Sequence, residues 1–153
     1  MHLLSALLIV LTSYQSAPGS EFAALASELQ IEVEERLLIS QSYPAQTAPD
    51  IASDDILQIG LNELSAHALG LSLSIENRSG PEDLRCIYRG MAQDALEHRQ
   101  ELLIGEIRAD RIRAYVDLSY LLDHATEVGP LSDQAEIAPF TGVEPGCPRG
   151  PLR

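Results

Sequence analysis

Residues 57–75 read LQIGLNELSAHALGLSLSI, and their spacing decides the fold. Leu57, Leu61, Leu64, Ala68, Leu71 and Ile75 recur in alternating steps of four and three. Those steps return to one face of an α-helix and form a seam able to interlock with another helix. Gly60 and Gly70 each lower helix propensity by about 1 kcal/mol relative to Ala. The period survives them, so they read as close-packing or mild bend positions. Asp50 or Ser53 can cap the start, with Asp54 and Asp55 in the first turns at the positive end of the helix dipole. The run Asn77-Arg78-Ser79-Gly80-Pro81 ends the segment.

The same pattern spreads outward. Upstream, over residues 21–40, Phe22, Leu25/Ala26, Leu29, Val33 and Leu37 share a face, with Glu28, Glu32 and Glu35 on the wetter side. Residues 41–49 (QSYPAQTAP) form a linker in which two prolines resist helix. Downstream, Leu84, Tyr88, Met91, Ala95, His98 and Leu102 continue the seam from Pro81. Ala114, Leu118, Leu121, Ala125 and Val128 share one side of residues 108–128. A continuous helix over 81–128 would be about 70 Å long at 1.5 Å per residue. A turn within 105–110 is therefore expected, and an unbroken helix would imply a dimer or an elongated particle. From Gly129 on, five prolines and four glycines read as an extended arm. No period-two run suggests a strand. The expected architecture is all-α: an up-and-down bundle of three or four helices over residues 20–128, with a Gly/Pro-rich arm over 129–153.

Residues 1–19 stand apart. They contain no Asp, Glu, Lys or Arg, and residues 3–11 (LLSALLIVL) are almost wholly apolar. Ala17 and Gly19 supply small side chains for a cut before Ser20, with cleavage after Ala17 or near Ala24 to Ala26 as the alternatives, so the stretch reads as a secretory signal peptide. That places the protein outside the cytoplasm, in a periplasmic or extracellular space. The alternative is an uncleaved membrane-associated segment, motivated by His2 standing where positive residues are usual. The apolar run is too short to span a bilayer, which takes about 20 residues.

Cys86 and Cys147 are the two cysteines. An even count in an exported chain, with one cysteine in the arm, predicts a disulfide that pins the arm to the bundle. They are too far apart in sequence for a redox-active CxxC, and no zinc or haem-attachment pattern surrounds them.

Composition narrows function further. All ten basic residues are arginine, against 23 acids, for a net charge of -13. This excludes a lysine nucleophile, a P-loop lysine and the basic footprint of a nucleic-acid binder. His67, His98 and His124 fall on three different predicted helices, with Glu63, Asp94 and Tyr120 one turn before them. Converging imidazoles would make a metal site. The paired Glu-x-x-His segments of a di-iron bundle and the His-Glu-x-x-His motif are both lacking. Pairs such as Glu34/Glu35, Asp54/Asp55 and Glu82/Asp83 are explained by helix starts or a polar face. Arg108, Arg111 and Arg113 alternate with Glu106 and Asp110 and read as surface ion pairs. Asn77-Arg78-Ser79 matches an N-glycosylation pattern. No catalytic, cofactor-binding or metal-ligating set is assigned. The expected function is a non-catalytic, exported accessory protein that binds another, basic protein, with a three-histidine metal bundle as the alternative.

Overall fold

The computed structural model describes residues 17–134 and Cys147. Four helices follow in order: α1 (Pro18–Ser42), α2 (Ile56–Asn77), α3 (Glu82–Ile104) and α4 (Arg108–Gln134). Each runs antiparallel to the next, and α4 returns beside α1 to close the bundle. Gln30 meets Ser119, Arg36 meets Asp55, Ser65 meets the Ala92 carbonyl, and Tyr88 meets that of Val128. The tightest pairings are α1 with α4 and α2 with α3. The apolar seams read from sequence are the core. All six positions of the α2 seam are buried, as are Phe22, Ala26, Leu29 and Val33 of α1. Leu84, Tyr88, Met91, Ala95 and Leu102 are buried on α3, and Ala114, Leu118, Leu121 and Ala125 on α4. Burying a Leu-sized side chain contributes roughly 1.5–3 kcal/mol, so these stripes are the main source of stability.

Two boundaries differ from expectation. The α2 N-cap is Asp55, not Asp50 or Ser53: its carboxylate accepts from the Leu57 amide at 2.9 Å. Arg36 holds that same carboxylate at 2.9 Å and Glu32 at 2.6 Å, which fixes where α2 begins beneath the end of α1. Partial burial works against the charge on Arg36, but Asp55 and Glu32 outweigh it and hold its pKa above the ordinary value. The anticipated break between α3 and α4 is present, confined to Gly105–Ile107. The backbone there pairs with the α1–α2 linker: Ala48 donates to Glu106 at 2.9 Å, and Arg108 to Gln46 at 2.8 Å.

The second difference is at the far end. α4 does not stop at Gly129 but passes through Pro130 to Gln134. A Gly-Pro pair ordinarily ends a helix, and an interior Pro costs about 3 kcal/mol. Tertiary contacts offset this. Gly19 and Gly129 face each other so closely that a Cβ on Gly19 would overlap the Gly129 carbonyl oxygen and Ser132 Oγ. One on Gly129 would lie 2.7 Å from Ala23 Cβ. Beyond the crossing, Asp133 accepts from the Gly19 amide at 2.8 Å and the Ser20 amide at 2.9 Å. A carboxylate of α4 thereby caps α1, whose own N-cap residue, Ala17, has no side-chain acceptor.

Glycine replacements separate these roles. Gly19→Ala should destabilise by about 1–3 kcal/mol because two backbones must move apart. Gly70→Ala and Gly90→Ala meet nothing within 4 Å and should each stabilise by roughly 0.5–1 kcal/mol through helix propensity. Urea melts of the three variants check the contrast. A further test concerns Gln58, fully buried on α2, whose side-chain amide has no hydrogen-bond partner among the described residues. Gln58→Met should raise stability by about 1–3 kcal/mol, the cost of an unmet buried polar group, read as a higher Tm.

Candidate functional site

Cys86 and Cys147 form a disulfide, with Cα atoms 5.3 Å apart across a sequence separation of 61. The spacing falls in the range of about 4.4–6.8 Å that the bond requires. Cys86 lies in the second turn of α3, at the bundle end where Gly19 crosses Gly129. Two residues on, Tyr88 donates to the Val128 carbonyl at 2.7 Å, and its ring meets Phe22 edge-on at 5.6 Å. Burial, the largest influence, pushes the Tyr88 phenol above its ordinary pKa, so it stays a neutral donor.

The three histidines do not converge. His67 and His124 are exposed on α2 and α4. His98, on the α3 seam, is half-buried with Nδ1 2.9 Å from Glu101. Desolvation and then Glu97 raise the pKa of Asp94, one turn away, while His98 opposes them. Among the described residues no group of three or more His, Cys, Asp or Glu is arranged to hold a metal ion. The three-histidine alternative therefore has no assembled site here, because the helical phase that buries the seams turns His67 and His124 outward.

The arginine cluster also differs from expectation. Only Arg113 makes a surface pair, with Asp110 at 3.4 Å. Arg111 is 3% exposed and donates to the carbonyls of Pro49 at 3.0 Å and Gly105 at 2.6 Å. Arg108 donates to the Tyr43 carbonyl. A planar guanidinium with five donors can join two separate loops, and here two of them clamp the linker onto the α3–α4 turn. Sequence alone reads such residues as solvated because it cannot place the linker over them.

Two clefts open on the surface. One of about 250 Å³ lies where α3 ends and α4 begins, with Asp110 and Arg113 of its rim already neutralising each other. The other, about 210 Å³, lies between α1 and α2. Its floor is Leu25, Leu29, Ile56, Ile59 and Gly60, and its rim is Glu28, Glu32 and Glu63. Leu29 rests where a Cβ of Gly60 would be, which makes Gly60 a close-packing position as its sequence suggested. Gly70 has open space instead. Ile56 and Ile59 remain 68% and 48% exposed. The seam-based reading missed them; the signal available was two isoleucines off the four-three spacing at the start of α2.

No family model, curated protein or solved structure matches this chain.

The disulfide is open to a direct test. Cys147→Ser should lower stability by at most about 4 kcal/mol, the chain-entropy value for a loop of this length. Helix content by circular dichroism should stay near that of the wild type. Reductant should lower the wild-type Tm to that of the variant and leave the variant's unchanged.

Proposed function

We propose that this chain is an exported, non-catalytic accessory protein that binds a basic protein partner through its acidic helical surface. The observation that carries this reading is where the arginines go. Arg36, Arg85, Arg89 and Arg113 are taken up by carboxylates of the same chain. Arg78, Arg99, Arg108 and Arg111 donate to backbone carbonyls. Among the described residues the latter four form no ion pair, and carboxylates such as Glu28, Glu35, Glu63, Asp83 and Glu127 face solvent without a cation partner. Such a surface steers a cationic partner toward it and repels other copies of itself.

Export is supported by the Cys86–Cys147 bridge, which belongs to oxidising compartments. The apolar run at residues 3–11, outside the described residues, supports the route, and the cut is placed after Ala17, which keeps Gly19 for its contact with Gly129. No helix among the described residues is long and apolar enough to cross a membrane.

The test is affinity capture from the periplasmic or extracellular fraction, using protein carrying its disulfide. A basic protein should be retained at roughly 0.05 M salt and released near 0.5 M, as the screening length falls from about 14 Å to about 4 Å. Its association rate should drop steeply over the same range. Recovery of nothing at low salt, with a monomer indifferent to ionic strength, would overturn the proposal.

A further inference from the structure

The α1–α2 groove brings exposed apolar side chains and glutamates together. Its volume of about 210 Å³ is below the roughly 300–1,000 Å³ of small-molecule pockets, and it suits one or two side chains. Glu28 and Glu32 stand one turn apart on α1. Ile56, Ile59 and Glu63 follow at steps of three and four on α2. The groove is thus an apolar stripe edged by acids from both helices, and no cation lines it. Glu32 is already held by Arg36 at 2.6 Å, whereas Glu28 and Glu63 have no cation partner among the described residues.

We infer that this groove docks a cationic amphipathic segment of a partner polypeptide. An aliphatic side chain of the partner seats between Ile56 and Ile59, and Arg or Lys one turn to either side meets Glu28 and Glu63. This rests on the reading of the protein as a binder of a basic partner, and it gives that partner a place and a form.

Other occupants fit less well. A second copy brings its own net charge of -13 against the acidic rim. Residues 148–153, tied at Cys147, reach about 21 Å at most. They start from Cys86, and the level of Arg99, which reaches Gln58, lies thirteen residues or about 20 Å further along α3. They would then still have to cross the breadth of α2, roughly 10 Å. Residues 1–16 are long enough but hold no Arg or Lys to meet the glutamates.

The experiment is fluorescence anisotropy with the disulfide-intact protein and a labelled helical peptide carrying Leu flanked by Arg one turn before and after. The expected result is saturable binding at low salt, weakened at least tenfold by Glu28→Gln/Glu63→Gln and also by Ile59→Gln. Ile56→Gln serves as the second apolar variant, since its side chain is the more exposed. Asp123→Asn/Glu127→Gln on α4 removes the same charge elsewhere and should change affinity less than twofold. Melting temperatures confirm that each variant is folded. If the groove variants bind like the wild type while the α4 pair weakens binding, the groove assignment is wrong and the basic-partner reading stands. If the peptide fails to bind but a basic protein is still captured in a salt-dependent way, the groove assignment again falls alone. Failure of both assays removes both.

Discussion

At one end of the bundle two glycine backbones touch, and much of the architecture follows from that contact. Gly19 and Gly129 bring α1 and α4 closer than side chains would allow. At that separation Asp133 reaches the unsatisfied amides of the first turn of α1, and Ser20 Oγ adds a third bond to the same carboxylate at 2.9 Å. The crossing also brings Phe22 against Tyr88 and sets the Val128 carbonyl within reach of the Tyr88 hydroxyl. α1, α3 and α4 are therefore locked together beside Cys86, and the disulfide joins the chain beyond α4 to a surface that is already rigid.

The opposite end is built on different chemistry. There the linker and the α3–α4 turn are joined by backbone hydrogen bonds and by arginine. Arg111 reaches Pro49 and Gly105, Arg108 reaches Tyr43, and Arg36 joins α1 to the cap of α2. A lysine ammonium at position 111 would offer a point charge where a planar fork now spans two loops. Arginines held against carbonyls form no ion pair with an acid among the described residues. The groove beside Ile56 and Ile59 is where unpaired glutamates meet exposed apolar surface.

Helix identity and core composition were legible in residues 57–75 and their counterparts, because a four-three spacing has one solution that buries every member. The all-α class, the turn near Gly105 and the pairing of Cys86 with Cys147 came from that periodicity, from chain length and from cysteine count. Tertiary contact alone decided the rest. Gly129-Pro130 carries every local mark of a helix end, yet α4 continues because Gly129 packs on Gly19 and Asp133 finds its partners at the start of α1. Asp55 caps α2 in preference to Asp50 or Ser53 because Arg36, nineteen positions earlier, holds its carboxylate in place. The fates of His67, His98 and His124, of Arg111 and of the groove between α1 and α2 depend on rotation of whole helices about their axes. Periodicity specifies which residues face inward together; which loop or neighbouring helix meets the remaining faces is set only when the four helices pack.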